Sequence, residues 1–307
     1  MKSDNIKVSI CCVTYNHEEY IEDAIKSFLN QKVDFPIEIL IHDDASTDQT
    51  ANIIKNFQSQ YPNLIRGFYQ KENQYSKGIK VSSILFNQAR GKYIAWCEGD
   101  DYWIDDYKLQ KQINFLENNP NYVLSVHNIL WVWQDIDRVP EIRERNPKDT
   151  YTIEDHINPG ARATVGHTCS AVFIKDLTNN LPMWFYRSVY EDVPLFTYIG
   201  GFGLTNYINE VMAVHRIHRK SLSSQGSKTL DFYSNKVKMY EEIDRHYKYK
   251  YHDKLIPILS NYYAKLLRFR REMNYLEYLR ILFKTIITGS FHSNPIFTRL
   301  KRKLKVV

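Results

Sequence analysis

Residues 93–103 read YIAWCEGDDYW, a short apolar run that ends in acidic residues. The run is too short for a helix and rich in β-forming residues, which predicts a buried strand over Tyr93–Cys97. Three carboxylates follow within four positions, spaced by a glycine that permits close backbone approach: Glu98, Asp100 and Asp101. Hard oxygen ligands at this density suit Mg²⁺ or Mn²⁺, although an acidic turn before the next helix explains them equally well.

Two earlier segments repeat this organisation. Val8–Thr14 (VSICCVT) and Ile37–Ile41 (IEILI) are apolar runs of strand length, and polar residues follow each of them. Between and after them, apolar residues recur at helical spacing, as in Glu18–Gln31. Strands that alternate with helices predict an α/β fold with a mainly parallel central sheet flanked by helices. Ligands bind beyond the carboxyl ends of such strands, so the polar residues there should converge on one rim.

The remainder of the chain continues with mixed elements. We expect strands near Tyr122–Val132 and Tyr207–His215 and a helix over Glu191–Tyr198. The polar, proline-containing connection from Gln134 to Pro159 reads as a mobile loop. From Leu230 onward the pattern predicts helices punctuated by three residues, Pro257, Gly289 and Pro295.

Charge divides the 307 residues into two parts. Residues 228–307 contain 18 Lys and Arg against 7 Asp and Glu, a charge of +11, whereas residues 1–227 carry −5. We expect a catalytic domain over 1–227, with halves at 7–130 and 131–227, and a basic helical extension over 228–307. The basic and aromatic tail is typical of an interfacial helix on an anionic membrane, and a packed or solvated helix pair is the alternative. No recognition motif accompanies these bases, so no nucleic-acid partner is predicted.

Composition limits the class of protein. Apolar residues make up 43% and charged residues 25% of the chain, which excludes a disordered or collagen-like protein. The four scattered cysteines predict no disulfide framework, and a reducing cytosol is therefore the default location. No run has the length of a signal peptide or of the ~18–20 apolar residues that cross a bilayer, so we predict no transmembrane segment.

The first 130 residues resemble a known family. The segments VSICCVTYNHEEYIEDAIKSFLNQ, IEILIHDDASTDQT and ARGKYIAWCEGDDYW are similar, in order and spacing, to the nucleotide-sugar half of inverting family 2 glycosyltransferases with the GT-A fold. The segments LPMWFYRSVYEDVPLFTYIGGFG and INEVMAVHRIHRKSLSS look like the acceptor side of the same family. The resemblance covers roughly residues 7–225.

The resemblance implies roles for individual residues. Donor binding falls to a set at the three strand ends and in a later segment: Val13, Thr14, Tyr15, Asp44, Glu98, Asp100 and Arg216. A divalent metal, Mn²⁺ or Mg²⁺, would be bound by Asp100, Asp101 and His218. Asp192 matches the catalytic base, with Glu191 as the neighbour most easily confused with it. Glu98 departs from the aspartate usual in the family. Four other histidines near strand ends or loops receive no catalytic role: His17, His42, His127 and His167.

The resemblance implies an activity as well. It predicts transfer of a sugar from a nucleoside diphosphate donor, UDP above all, to a hydroxyl of a saccharide or lipid-linked acceptor in bacterial surface polysaccharide assembly. The setting is the cytoplasm, at the inner face of the membrane. A sugar nucleotidyltransferase is one alternative, but VTYNHEEY lacks the Gly-rich phosphate loop with a lysine that it requires. A non-catalytic, membrane-associated binding protein is the other, and it would tolerate the loss of Asp192.

Overall fold

The computed structural model describes residues 6–158, 164–219 and 229–288. The chain divides into two compact units, residues 1–221 and 222–307. Among the described residues, the first unit contains a ten-stranded sheet. Its strands are β1 (Val8–Thr14), β2 (Ile37–Asp43), β3 (Ile65–Tyr69), β4 (Tyr93–Glu98), β5 (Tyr102–Trp103), β6 (Tyr122–Trp133), β7 (Glu141–Ile142), β8 (Thr150–Tyr151), β9 (Val172–Ile174) and β10 (Leu204–Ile217). The helices of this unit are α1 (Ile21–Leu29), α2 (Thr50–Gln60), α3 (Val81–Gln88), α4 (Lys108–Asn118), α5 (Ile153–Ile157), α6 (Met183–Arg187) and α7 (Asp192–Gly200).

The first half of the sheet is parallel, in the order β3-β2-β1-β4. Val13 pairs with His42 on one side and with Glu98 on the other. The carboxyl ends of β1, β2 and β4 therefore lie at one edge of the sheet, as the sequence predicted. This parallel α/β core confirms the expected fold class.

The second half of the sheet is mixed. β9 lies antiparallel between β4 and β6, and β10 runs parallel to β6. β5 closes this end as an antiparallel partner of β10, pairing Tyr102 with Val214 and Trp103 with Ala213. Because β5 directly follows the acidic residues after β4, this pairing carries the end of β10 to the same edge.

Alternating apolar residues make the sheet a divider between two cores. In β1, Ile10 and Cys12 face the core that contains Phe28 of α1, whereas Cys11 faces the core that contains Phe86 of α3. This is the two-residue period of a strand buried on both faces. All four cysteines are buried as free thiols.

Several boundaries differ from the sequence predictions. α1 begins at Ile21 rather than Glu18, because the Glu18 backbone N–H and carboxylate bond to Asp48 and Gln49 in the neighbouring loop. The connection after β6 was expected to be a loop, yet its described residues form β7, β8 and α5. Pro159 lies outside the described residues.

The second unit is helical in its described residues, with α8 (Leu230–His246), α9 (His252–Leu266) and α10 (Tyr275–Ile287). Glu241 of α8 joins the three helices, since its carboxylate accepts hydrogen bonds from Tyr263 of α9 and Lys284 of α10. The prediction that Pro257 ends a helix was wrong, because it lies inside α9. Gly289, Pro295 and the C-terminal bases are outside the described residues. In the part of the chain that is described, no helix combines the length and apolarity needed to cross a membrane.

Candidate active site

Two strained loops form the floor of the candidate site. Asn16 after β1 has φ of 54° and Ala45 after β2 has φ of 63°, the left-handed region that costs energy for residues other than glycine. The loops hold each other, because Asn16 N–H donates to Ser46 Oγ and Thr47 N–H donates to Asn16 Oδ1. Such strain is typical of functional sites whose surroundings fix the backbone.

Asp100 lies between two imidazoles at this edge. Its Oδ2 is 3.1 Å from Nε2 of His218 and 3.8 Å from Nε2 of His17. Burial alone would raise the pKa of Asp100, but His17, His218 and the nearby His215 outweigh it and lower the pKa to about 2. Asp100 is therefore an ionised carboxylate at neutral pH.

Asp101 faces the opposite way, towards β10. It is 1% exposed, and its Oδ1 accepts hydrogen bonds from His215 Nδ1 at 3.0 Å and from Arg216 N–H at 2.9 Å. Burial opposes protonation of His215, yet the Asp101 charge raises its pKa overall. This pairing holds the end of β10 against the end of β4 and so places His218 beside Asp100.

Glu98 is the last residue of β4, and its surroundings make its carboxyl group harder to ionise. Burial, followed by the charge of Asp101, raises its pKa well above the ordinary range, and Thr168 Oγ1 contacts its carboxyl group. The raised pKa of Glu98 lessens the repulsion in a cluster that already holds Asp100 and Asp101.

The Arg216 side chain packs against two aromatic rings. Its guanidinium lies 4.3 Å from the ring centroid of Tyr102 and 5.2 Å from that of Tyr20. Nη2 donates to Asp23 at 2.5 Å and Nη1 donates to the Asp100 carbonyl at 3.2 Å. The residue is 7% exposed, so the positive charge is fixed at the rim beside Asp100.

The residues at the end of β1 differ in accessibility. Thr14 is 1% exposed and its Oγ1 lies 3.1 Å from His17 Nδ1, whereas Tyr15 is 43% exposed at the rim. Gly99 packs directly on Thr14, because a Cβ at Gly99 would lie 2.6 Å from Thr14 Oγ1. The glycine in the acidic motif is thus required by the close approach of β4 to β1.

Asp44 is buried after β2 and holds the segment that precedes α3. Its carboxylate accepts hydrogen bonds from the backbone N–H groups of Gln74 at 2.8 Å and Tyr75 at 2.9 Å. His42 Nε2 lies 3.3 Å from the same carboxylate, and burial lowers the pKa of this imidazole. Three partners leave a carboxylate about one further lone-pair position for a ligand.

Glu191 and Asp192 stand at the start of α7 and differ in role. Glu191 accepts hydrogen bonds from the backbone N–H and hydroxyl of Ser82, with Lys80 nearby, and burial raises its pKa. Asp192 is the first helical residue and is half-buried. No residue in the described ranges hydrogen-bonds its carboxylate. Glu191 is therefore fixed by α3, whereas the described residues hold the Asp192 carboxylate by no hydrogen bond.

The structure connects four of the predicted site residues to one another and separates Asp192 from them. Asp100, Asp101, Arg216 and His218 form one connected cluster. The start of α7 is tied instead to α3 through the Ser82–Glu191 contact. Within the described residues, no hydrogen bond or ion pair joins Asp192 to that cluster.

Among the described residues, two groups of side chains have the spacing of metal ligands. The ligand atoms of His17, Asp100 and His218 lie within 4.8 Å of one another, as do those of a second group, Asp101, His167 and Cys169. The first group fits a divalent ion, because it offers one ionised carboxylate and two imidazoles at a rim. The second fits poorly: Asp101 is already engaged by β10, and burial raises the pKa of the Cys169 thiol.

Comparison with known proteins identifies the family. The sequence model described as Glycosyl transferase family 2 matches residues 9–180, more than half of the chain. The chain belongs to glycosyl transferase family 2. Residues 9–180 include the ends of β1, β2 and β4, whereas Asp192, Arg216 and His218 lie beyond the match.

Individual relatives of this family 2 chain cover it to different extents. The uncharacterized protein Rv1520 of Mycobacterium tuberculosis is 40% identical over 129 residues, which is 42% of this chain but only 36% of that protein. This chain therefore spans little more than a third of that relative's length. WfaP of Escherichia coli, a UDP-Glc:alpha-D-GlcNAc-diphosphoundecaprenol beta-1,3-glucosyltransferase, is 28% identical over 233 residues, 75% of this chain and 85% of WfaP.

A solved structure supports the fold. TarS residues 1–349 from S. aureus, crystallised in complex with UDP-GlcNAc, matches with a TM-score of 0.58 and 17% identity, over 93% of this chain and 90% of that one. At this identity the likeness shows the fold alone. It confirms the GT-A fold that the sequence resemblance implied.

The sequence of this family 2 chain did not reveal every residue of the cluster. His17 and His167 were assigned no role, yet they lie 3.8 Å from Asp100 and Asp101 respectively. His215 was not singled out, although it pairs with Asp101. One signal was present for His17, which follows Thr14 by three residues at a strand end.

Proposed function

We propose that this chain is a metal-dependent inverting glycosyltransferase that moves a sugar from a UDP-sugar to a hydroxyl group of a saccharide. One observation carries the proposal: an ionised Asp100 and two imidazoles lie at the carboxyl edge of a family 2 sheet. That edge is where α/β sheets bind ligands. The complex of TarS with UDP-GlcNAc and the UDP-Glc substrate in the name of WfaP support uracil as the base.

The donor would lie across the three strand ends. Asp44, the β1 residues Val13 and Thr14, and Tyr15 directly after β1 would contact the base and ribose, with Tyr15 offering the exposed aromatic face. Asp100 and His218 would hold the divalent metal, which when bound would neutralise charge on the diphosphate. Asp101, the third metal ligand that the sequence predicted, would instead hold the end of β10 beside the site. Arg216 is a fixed cation beside Asp100, and Glu98 would face the ribose.

Asp192 would act as the general base. Its carboxylate would take the proton from the acceptor hydroxyl as that oxygen attacks the anomeric carbon from the face opposite the diphosphate. The new C–O bond forms as the bond to the diphosphate oxygen breaks, so a single displacement inverts the configuration. Glu191, bound to Ser82, would keep the start of α7 in place.

The acceptor would be a saccharide or a lipid-linked saccharide of a bacterial surface polysaccharide. The diphosphoundecaprenol acceptor in the name of WfaP supports this choice. The reaction would then take place in the cytoplasm, at the inner face of the membrane.

The tail would hold the protein at that membrane. α10 exposes an apolar face, with Leu276 77%, Phe283 64% and Ile287 66% exposed. The same helix carries Arg280 and Lys284, and residues 228–307 bear a charge of +11. An apolar helix face beside basic residues is typical of peripheral contact with an anionic bilayer.

A donor screen tests the proposal. Thermal shift with UDP, GDP and dTDP sugars, with and without Mn²⁺, should show stabilisation that is greatest for UDP-sugars and requires the metal. A sugar nucleotidyltransferase would instead respond to UTP and sugar phosphate. A pure binding protein would respond to donor but release no UDP when acceptor saccharides are added.

A further inference from the structure

Three ligand atoms converge on one point at the end of β1. Asp100 Oδ2 lies 3.1 Å from His218 Nε2 and 3.8 Å from His17 Nε2, and all the ligand atoms of the trio are within 4.8 Å of one another. Adjacent ligands of an octahedral ion bound at about 2.1 Å are about 3 Å apart. The 3.1 Å spacing of Asp100 and His218 matches this value, and the 3.8 Å spacing of Asp100 and His17 exceeds it by less than about 1 Å.

The orientation of His17 is that of a metal ligand. Its Nδ1 lies 3.1 Å from Thr14 Oγ1, so the hydroxyl can accept the Nδ1 proton and leave the lone pair of Nε2 directed at Asp100. Histidine ligands in metalloproteins almost always donate their second ring N–H to a hydrogen-bond acceptor, and the Thr14 hydroxyl would be that acceptor here.

The backbone of His17 is also fixed before any ligand binds. Its N–H donates to Thr50 Oγ1 at 2.9 Å, and its carbonyl accepts from Tyr20 and Ile21 N–H at 2.9 and 2.8 Å. These contacts attach the residue to the starts of α1 and α2. Little conformational freedom is therefore lost when the imidazole binds an ion.

We infer that His17 is a third protein ligand to the donor metal, so that the site presents two imidazoles and one carboxylate and selects Mn²⁺ over Mg²⁺. This rests on the proposed function, in which Asp100 and His218 hold that ion. Imidazole nitrogen suits transition metals, whereas Mg²⁺ prefers oxygen ligands and retains its waters. The remaining coordination positions would be open to the diphosphate.

The competing explanation is a purely structural one. His17 would then only hydrogen-bond Asp100 and orient its carboxylate, without touching the ion. The two explanations differ in the number of nitrogen nuclei coupled to the metal, which can be measured directly.

The test uses the full chain with Mn²⁺ and UDP. Electron spin echo spectroscopy of bound Mn²⁺ should show ¹⁴N coupling from two imidazoles in the natural protein and from one in His17→Ala and His17→Gln. Titration of the free Mn²⁺ signal should show affinity reduced at least about tenfold, the loss that even an outer-shell partner produces. Mg²⁺ affinity should fall less than Mn²⁺ affinity. His252→Ala is the matched control, because His252 pairs with Asp244 at 2.6 Å in the helical unit.

The outcomes separate the two proposals. A single coupled nitrogen in the natural protein would overturn the assignment of His17, whatever the Mn²⁺ affinity of its variants, and leave the proposed function standing. Absence of Mn²⁺ binding by the natural protein, even with UDP, would overturn the metal-dependent function itself and the His17 assignment with it. Equal melting temperatures of the variants and the natural protein establish that each variant is folded.

Discussion

Asp100 Oδ2 lies 3.1 Å from Nε2 of His218, although the two residues are 118 positions apart in the chain. β10 makes this contact possible because it pairs with β5, which begins directly after Asp101. Asp101 then fixes the end of β10 through His215 and the Arg216 N–H. The two adjacent aspartates therefore have different roles. Asp100 faces the ligand position, and Asp101 holds the strand that supplies His218.

This division predicts different effects of the two isosteric substitutions. Asp100→Asn should reduce Mn²⁺-dependent UDP affinity by about tenfold or more, with little change in stability, because it removes a charged ligand. Asp101→Asn should reduce the free energy of unfolding by about 1–3 kcal/mol, because buried donors lose a charged acceptor. Calorimetric titration and urea denaturation measure the two quantities. Equal effects of both substitutions on both quantities would contradict the division.

Gly99 provides a test of the packing behind the site. In Gly99→Ala the new Cβ would lie 2.6 Å from Thr14 Oγ1 and 2.9 Å from Ile21 Cδ1. Overpacking of this kind costs about 1–3 kcal/mol, and displacement of Thr14 should also weaken Mn²⁺ binding through His17. Thermal unfolding and Mn²⁺ titration would measure both effects.

Gly78→Ala is the control for this substitution. Its Cβ would meet no atom within 4 Å, but its φ of 79° should cost about 1–2 kcal/mol. It should leave Mn²⁺ affinity unchanged. Weakened metal binding in the control, or full metal affinity in Gly99→Ala, would argue against a specific contact between β4 and β1.

The buried side chain of Lys108 should make the free energy of unfolding depend on pH. Burial lowers the pKa of this lysine to about 7. This occurs although Gln112 accepts a hydrogen bond from its Nζ, which also lies 4.1 Å from the ring centroid of Trp103. Between about pH 7 and pH 10 the unfolded chain binds this proton and the folded protein does not, so stability rises with pH. The lysine is therefore most destabilising below this range.

Comparison with Lys108→Met isolates that contribution, because all other titrating groups are shared. The natural protein should gain about 2–4 kcal/mol relative to the variant between about pH 7 and pH 10. Urea denaturation at a series of pH values measures the difference. A difference that stays constant with pH would show that Lys108 is charged in the folded state.

The apolar face of α10 predicts membrane contact. Phe283 is 64% exposed, so Phe283→Asp should leave stability nearly unchanged while it reduces sedimentation with anionic liposomes several-fold. Ile142→Asp is the matched control, because Ile142 is 51% exposed in the first unit. Equal sedimentation of both variants and the natural protein would favour a tail that serves only for packing.

The sequence predicted the parallel half of the fold well, for a clear physical reason. Val8–Thr14 and Tyr93–Glu98 are short apolar strands whose periodicity and polar ends are local properties. Those ends also located Asp44 and Asp100 on one rim.

What the sequence left open depends on long-range register. His17 was passed over because its contact with Asp100 requires the close packing of β1 on β4, and no local pattern encodes a 3.8 Å approach. The contact of His215 with Asp101 could be recognised only once the pairing of β10 with β5 was known. The punctuating role given to Pro257 failed because packing within the helical unit can outweigh the loss of one backbone hydrogen bond.

In the proposed reaction, Asp192 deprotonates the acceptor during an inverting transfer from a UDP-sugar. The most direct measurement is NMR of the anomeric configuration of the product formed from an α-linked UDP-sugar by the natural protein and by Asp192→Asn. We predict a β-linked product from the natural protein. The variant should bind UDP and Mn²⁺ normally but turn over at least about 10²-fold more slowly. An α-linked product would rule out an inverting transfer. Turnover by Asp192→Asn at the natural rate would rule out Asp192 as the base.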